Sequence, residues 1–239
     1  MFRFVKSWVV IMACIALVAL VTFEAAALGA RETVVRDVGG FDSVSLGTSG
    51  RLIIAQGDRE GLRIEARPQQ LPRIITEVRG GVLYIDWIHD GPSFSFRPPV
   101  FRLTVKTIAS LETHSSGSIE VGSLRASSLR IRISSSGGIS IGSLAAASLD
   151  VQITSSGWVS VGGRADKQNV LLSSSGSYRA GDLASRTARV NVSSSGNATI
   201  RVSDSLQASV TSSGNVRYYG NARVDGNVTS SGQLVKAGN

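Results

Sequence analysis

Residues 113–139 read THSSGSIEVGSLRASSLRIRISSSGGI, and this stretch contains one full interval of the repeat that decides the fold. The interval separates two S-S-G triplets. The triplet occurs seven times, with its glycine at Gly117, Gly137, Gly157, Gly176, Gly196, Gly214 and Gly232. Successive glycines are 20, 20, 19, 20, 18 and 18 residues apart. A nearly constant period of this size is typical of a solenoid, in which each repeat forms one turn.

Apolar and polar residues alternate after each triplet, as in a strand with one buried side. The positions two and four residues after the glycine hold Ile119, Ile139, Val159, Tyr178, Ala198, Val216 and Leu234, and Val121, Ile141, Val161, Ala180, Ile200, Tyr218 and Lys236. The residue between the two positions is polar in most repeats. Because Lys236 interrupts an apolar column, we expect a frayed final turn.

A second strand is predicted before each triplet. Four residues before the glycine stand Thr113, Ile133, Ile153, Leu172, Val192, Val210 and Val228. Each period therefore contains two strands joined by an S-S-G corner, with a looser connection such as Gly142–Leu144 elsewhere in the turn. One such unit cannot bury its apolar side alone, so copies must stack. The sequence predicts an all-β, single-domain parallel β-helix, expected to be right-handed, with rungs of 18–20 residues.

The corner residues have a structural interpretation. The glycine is expected where a Cβ would obstruct the stacked backbone, and the two serines before it can hydrogen-bond backbone groups at the corner.

The rest of the chain divides into three parts. Residues 1–27 resemble a secretory signal peptide, because Arg3 and Lys6 precede an apolar run that ends in an A-x-A cleavage pattern; retention as an uncleaved anchor stays open. Residues 28–39 are expected to be a linker. Residues 40–239 are the β-helix domain, with irregular opening rungs and a cap at 40–112 and regular rungs at 113–239. Thr48-Ser49-Gly50 resembles a first corner, and residues 89–99 a projecting loop.

Charge and cysteine content limit the possible partners. Without residues 1–27 the chain has no cysteine, and it carries 23 basic and 16 acidic side chains, a net charge of +7. This favours an anionic polysaccharide or another anionic envelope component. Nucleic acid is not expected for an exported chain without basic runs or aromatic platforms. No membrane span is expected after signal cleavage, and the oligomeric state is left open.

One family resemblance is visible in the residues themselves. The run FRLTVKTIASLETHSSGSIEVGSL at residues 101–124, the later S-S-G corners and VRYYG at residues 216–220 together resemble the putative auto-transporter adhesin, head GIN domain family. The resemblance extends from about Gly40 to Gln233. It implies an exported, β-helical bacterial envelope protein that is periplasmic, on the outer surface or extracellular. The family supplies no catalytic residues.

The sequence contains no convincing catalytic, metal or cofactor motif. Asp150 and Asp225 share a column, but four rungs of about 4.8 Å separate them by about 19 Å, too far for one glycosidic bond. Asp166, Asp182 and Asp204 lie in less regular connections, so a polysaccharide-active enzyme remains an alternative. The only histidines are His89 and His114, and His114 occupies a corner column. We therefore expect no catalytic site, no metal site and no cofactor.

The leading functional hypothesis is a non-enzymatic adhesin or glycan-binding module that uses stacked polar strand faces. The candidate face consists of outward residues in two columns, Arg130, Arg132, Gln152, Asn169, Arg189, Asn191, Gln207 and Asn227. Arg can pair with acidic sugars, and planar amides can hydrogen-bond sugar hydroxyls. A further alternative is a structural spacer or a self-assembling β-solenoid.

Overall fold

The computed structural model describes residues 31–88 and 97–239. The expected signal peptide and most of the expected loop lie outside the described residues. Within the described ranges there are sixteen strands and a short 3₁₀ helix at Leu71–Arg73. The strands are β1 (Glu32–Arg36), β2 (Ser43–Leu46), β3 (Arg51–Gln56), β4 (Gly61–Ala66), β5 (Ile74–Arg79), β6 (Val82–Trp87), β7 (Val100–Val105), β8 (Ser110–Thr113), β9 (Ser118–Ile133), β10 (Gly138–Ile153), β11 (Trp158–Leu172), β12 (Ser177–Val192), β13 (Asn197–Val210), β14 (Asn215–Tyr219), β15 (Arg223–Val228) and β16 (Gln233–Gly238).

The body of the molecule is a parallel β-solenoid formed by β9 to β13. Each of these strands pairs in parallel with the next, and each makes most of one turn. Ile139 lies beside Ile119 on one side and Val159 on the other. All three side chains are fully buried in one continuous apolar core. The expected all-β parallel solenoid and its inward columns are thus confirmed.

Each turn has a third hydrogen-bonded segment where the sequence suggested a loose connection. Leu144 lies within β10 and pairs with Leu124 of β9, and both side chains are buried. The expectation of a loose connection at Gly142–Leu144 was therefore wrong. It arose because the column is irregular: β11 is one residue shorter and places Gly163 beside Leu144. Gly163 has φ +106°, and a Cβ there would lie 2.2 Å from the carbonyl oxygen of Leu144.

Each corner packs directly on the backbone of the preceding corner. The amide of Gly138 donates to the carbonyl of Gly117 at 3.1 Å, and equivalent bonds follow the later corner glycines. A Cβ on Gly137 would lie 2.5 Å from the carbonyl oxygens of both Gly117 and Ser115. Gly137 has no positive φ, so glycine is required there by close approach rather than by backbone conformation.

The two corner serines differ in their surroundings. Ser115 Oγ donates to the carbonyl of Thr48 at 2.6 Å and accepts from the amide of Gly117 at 3.2 Å. Ser116 is exposed and makes no side-chain hydrogen bond within the described residues. The expected backbone hydrogen bonding therefore holds at this corner for the first serine only, because the second points away from the stacked backbone.

The opening turns do not stack in sequence order. β2 and β3 pair on one side with β8 and β9, and on the other side with β6 and β7. The turn that contains β6 and β7 therefore lies on one side of the earlier turn that contains β2 and β3. The chain then crosses to the other side of that turn, where β8 and β9 pair. The carbonyl of Gly50 accepts from the amide of Ser118 at 3.1 Å, so the segment Thr48–Gly50 acts as the first corner.

Antiparallel strands cover the beginning of the solenoid. β1 pairs with β4, β4 with β7, and β5 with β6. Residues 32–36, within the segment expected to be a linker, are therefore strand β1. Such a cover removes an open parallel edge on which another chain could pair.

The last turns remain paired, which corrects the expectation of fraying. β14 and β15 both stack on β13, and β16 stacks on β14. Val228 occupies an inward column but is 40% exposed, because no described strand covers β15. Lys236 is exposed, and its Nζ donates to Asn221 Oδ1 at 2.7 Å.

Candidate binding face

The structure brings the eight candidate residues together on one outer wall of the solenoid, which we call the polar face. They are Arg130, Arg132, Gln152, Asn169, Arg189, Asn191, Gln207 and Asn227. Consecutive turns place them in two adjacent columns, in register from β9 to β15. Neighbouring side chains in a column are separated by about 4.8 Å, the spacing of paired strands.

Strand alternation holds these side chains toward solvent. Leu129, Ile131 and Ile133 are buried, so Arg130 and Arg132 between them must point outward. The same alternation repeats in each following turn. All eight residues are exposed or half-buried, so the polar face is accessible over six turns, from β9 to β15.

The polar face carries charges of both signs. Asp150 lies in the same column, directly between Arg130 and Asn169. Asn169 Nδ2 donates to Asp150 Oδ1 at 3.1 Å. Asp225 lies beside Gln207 at the end of this column. The polar face therefore presents both hydrogen-bond donors and hydrogen-bond acceptors along its columns, which suits a ligand rich in hydroxyl groups.

A shallow depression lies near the middle of the polar face. Its volume is about 390 Å³, and its lining includes Asp150, Asn169, Arg189 and Gln207. This volume falls at the lower end of the range of small-ligand sites. Leu171 lies in the second column and is 38% exposed, so an apolar patch adjoins the polar groups.

A serine, a histidine and an aspartate meet near the first corner. His114 Nδ1 is 3.5 Å from Ser45 Oγ, and His114 Nε2 is 3.5 Å from Asp86 Oδ1. Both distances are long for a hydrogen-bonded catalytic relay. Ser45 is only 4% exposed, so a substrate has no access to its hydroxyl. The cluster packs over Gly47, where a Cβ would lie 2.4 Å from His114 Nε2.

Among the described residues, the two carboxyl groups with perturbed pKa values, those of Glu120 and Asp204, are both shifted downward. A hydrogen bond from Arg51 lowers the pKa of Glu120, and hydrogen bonds from Ser203 and Arg186 lower the pKa of Asp204. A general acid requires a shift in the opposite direction. Among residues 31–88 and 97–239, no group of three or more His, Cys, Asp or Glu side chains could hold a metal ion.

Sequence reasoning missed a polar network inside the core. Tyr178 OH donates to Gln168 Oε1 at 2.8 Å, and Gln168 Nε2 donates to Ser185 Oγ at 2.7 Å. Ser185 Oγ donates in turn to the carbonyl of Arg201 at 2.7 Å. Burial raises the pKa of Tyr178, so its phenol stays neutral. In the sequence, Gln168 indicates this network, because it is a polar residue in the inward column that holds Leu149 one turn earlier.

The comparisons with known proteins agree with this architecture. The model of the putative auto-transporter adhesin, head GIN domain family matches residues 40–222. This chain belongs to that family. A comparison with curated proteins found no significant match.

Several solved structures share the fold. A putative adhesin from Bacteroides fragilis superimposes with a TM-score of 0.80 at 20% identity, covering 86% of this chain and 96% of its own. A putative lipid binding protein from Parabacteroides distasonis gives 0.71 at 22% identity, covering 87% and 98%. A putative adhesin from Parabacteroides merdae gives 0.66 at 17% identity, covering 87% and 97%. At such identities the similarity establishes the fold alone.

Proposed function

We propose that this protein is an exported, non-enzymatic binding module of the adhesin type. Its ligand is an anionic polysaccharide or another anionic, glycan-bearing component of the cell envelope, and its binding surface is the polar face. The membership of an adhesin family supports the export and the surface role. Within the described residues, no helix is both long and apolar enough to cross a bilayer.

The register of the polar face carries the proposal. Arg130 and Arg189 lie three turns apart in one column, and Arg132 lies in the adjacent column. The amide side chains of Gln152 and Asn169 lie in the two turns between them. Because the backbone of this array is already ordered, it can contact successive sugars without an ordering cost in the backbone, and Arg contributes charge-assisted hydrogen bonds.

A glycan array with two triple variants tests the polar face. Replacement of Arg130, Arg132 and Arg189 by alanine removes three charges from it. Replacement of Arg63, Arg179 and Arg217, which are exposed elsewhere, removes the same charge and serves as the matched control. We expect salt-sensitive binding by the wild type, a loss of at least tenfold in the first variant and little change in the control.

The alternatives give different results in the same experiment. Turnover of any glycan indicates an enzyme. Wild-type protein that binds no glycan and forms concentration-dependent assemblies indicates a structural role. Equal losses in the two triple variants indicate that net charge, rather than the polar face, drives binding.

A further inference from the structure

A second basic surface lies on a different wall of the solenoid, along the third segment of each turn. Its central column contains Arg125, Ala145, Arg164, Ala184 and Arg201, one residue from each of β9 to β13, in direct register. Arginine and alanine alternate strictly. We call this column the arginine ladder. Arginines in the ladder are two strand spacings apart, about 9.6 Å.

The arginine ladder lies along two open depressions that meet at Arg164. One has a volume of about 1250 Å³ and includes Arg125 and Ala145 in its lining. The other has a volume of about 470 Å³ and includes Ala184 and Arg201. Together they form a groove that crosses successive turns. The alanine methyl groups leave space between the arginines for units of a ligand.

Two of the three ladder arginines are available for a ligand. The guanidinium groups of Arg125 and Arg164 make no ion pair or side-chain hydrogen bond within the described part of the chain. Arg201 is fixed in place: its Nε donates to the carbonyl of Gly181 at 2.9 Å, and its guanidinium lies 5.2 Å from the centroid of the Tyr219 ring. The groove thus has one pre-positioned and two free cations.

Within the described residues, no acidic side chain near the groove forms an ion pair with a ladder arginine. Asp166 and Asp204 flank Arg186 in the neighbouring column, and Arg186 Nε donates to Asp204 Oδ2 at 3.0 Å. Asp42 and Asp58 line the groove only at its end near β2 and β3. The ladder column itself contains no acid.

We propose that this groove binds an extended acidic polysaccharide whose charged groups recur on alternate sugars. When they extend in parallel, the Arg125 and Arg164 side chains hold their charges about two strand spacings apart. A ligand that repeats its charge along its length can therefore pair with both arginines at once. Ser123, Ser127 and Ser143 line the same groove and offer hydroxyl groups to neutral sugars.

The shape of the groove favours a chain over a bilayer or a nucleic acid. A lipid surface contacts side chains that project, whereas the ladder lines a depression. Single-stranded nucleic acid needs aromatic platforms for its bases. The Tyr219 ring near the groove already stacks with Arg201. This site is separate from the polar face and does not depend on it.

Isothermal titration with hyaluronate oligosaccharides, in which acidic and neutral sugars alternate, tests the groove. The purified protein is compared with an Arg125→Ala/Arg164→Ala variant and with an Arg63→Ala/Arg217→Ala control, which loses the same charge from exposed positions outside both the groove and the polar face. We expect the ladder variant to bind at least tenfold more weakly and the control to stay within twofold of wild type. An Ala145→Glu/Ala184→Glu variant should lose binding as well, since it places acids between the arginines.

The remaining probes are dextran, which is neutral, and vesicles with anionic phospholipid. Dextran should not bind. Absence of hyaluronate binding to the wild type overturns the proposal, as does a ladder variant that binds like wild type. Stronger binding to the vesicles than to hyaluronate overturns it in favour of a lipid surface. An Arg130→Ala/Arg189→Ala variant is titrated as a separate arm: loss of hyaluronate binding in that variant, with full binding by the ladder variant, overturns the groove and assigns the ligand to the polar face.

Discussion

Replacement of Gly137 by alanine should disrupt the stacking of one corner on the next. The added Cβ would lie 2.5 Å from the carbonyl oxygens of Gly117 and Ser115, and 3.0 Å from Thr113 Oγ1. Two backbone carbonyls must therefore move by roughly 1 Å to reach ordinary contact, as overpacked sites require. That movement breaks the hydrogen bond from the amide of Gly138 to the carbonyl of Gly117, now 3.1 Å long.

The expected loss of stability combines two effects. Overpacking in a well-packed interior costs about 1 to 3 kcal/mol. One lost backbone hydrogen bond costs about 1 kcal/mol. We therefore expect Gly137→Ala to destabilise the protein by about 2 to 4 kcal/mol, which lowers the urea midpoint by about 1 M or more.

Gly122→Ala is the matched control. Gly122 lies in the same turn on β9, is exposed, has no positive φ and would have no heavy atom within 4 Å of its new Cβ. Alanine there should be neutral or stabilise by up to about 1 kcal/mol. Urea unfolding followed by far-UV circular dichroism measures both variants. Equal midpoints for Gly137→Ala and Gly122→Ala would refute the steric explanation of the corner.

Three further outcomes follow from the contacts. Ser115→Ala should lower the unfolding free energy by about 1 to 2 kcal/mol, because it removes two corner hydrogen bonds, whereas Ser116→Ala should change little in the same urea titration. Tyr178→Phe should cost about 1 to 2 kcal/mol in that assay, because it leaves a buried amide oxygen without its donor. The hydrogen bond from Arg51 lowers the pKa of Glu120. This interaction therefore stabilises the fold at pH values above the ordinary carboxyl pKa, and the stabilisation is lost as the pH falls through the lowered pKa. Glu120→Gln should therefore reduce the drop in melting temperature between neutral and acidic pH, and the effect should be small because solvent screens this exposed pair.

The regular turns could be predicted from sequence because their constraints are local. Each corner glycine marks the same place in its turn, and the alternation around it assigns inward residues such as Ile139 and Val159. Even the polar face could be placed, since Arg130 and Arg132 are interleaved with buried aliphatic residues. The repeat period and the apolar–polar alternation are sufficient to predict the strand register when every turn pairs with the next turn in the sequence.

The opening turns could not be predicted in the same way. β6 and β7 pair beneath β2 and β3, which precede them in the sequence, and no local pattern specifies that order. The antiparallel strands of the cover likewise depend on long-range pairing. The third wall of the core was missed for a different reason, because a one-residue deletion at Gly163 shifts its register and hides the leucine column.

The arginine ladder was hidden by the same irregularity. Arg125 and Arg164 lie 8 and 7 residues after their corner glycines, so alignment on the glycines does not bring them together. The hydrogen-bonded register places Arg125 and Arg164 in one column, because Ala145 pairs with both of them. Sequence analysis therefore identified the polar face, which lies on the segment that precedes each corner and keeps a constant spacing from the corner glycine.

Disulfide trapping tests the stacked register most directly. Ser140 and Ser160 are outward residues paired on adjacent turns, so their Cα atoms are separated by about one strand spacing, 4.8 Å, within disulfide reach. In a chain with Cys14→Ser, a Ser140→Cys/Ser160→Cys variant should oxidise quantitatively to an intramolecular disulfide in the folded protein, as measured by mass spectrometry of peptides. A Glu120→Cys/Ser160→Cys variant, two turns apart, should remain reduced under the same conditions. Cross-linking of the second pair in preference to the first would contradict the solenoid register on which both proposed binding surfaces depend.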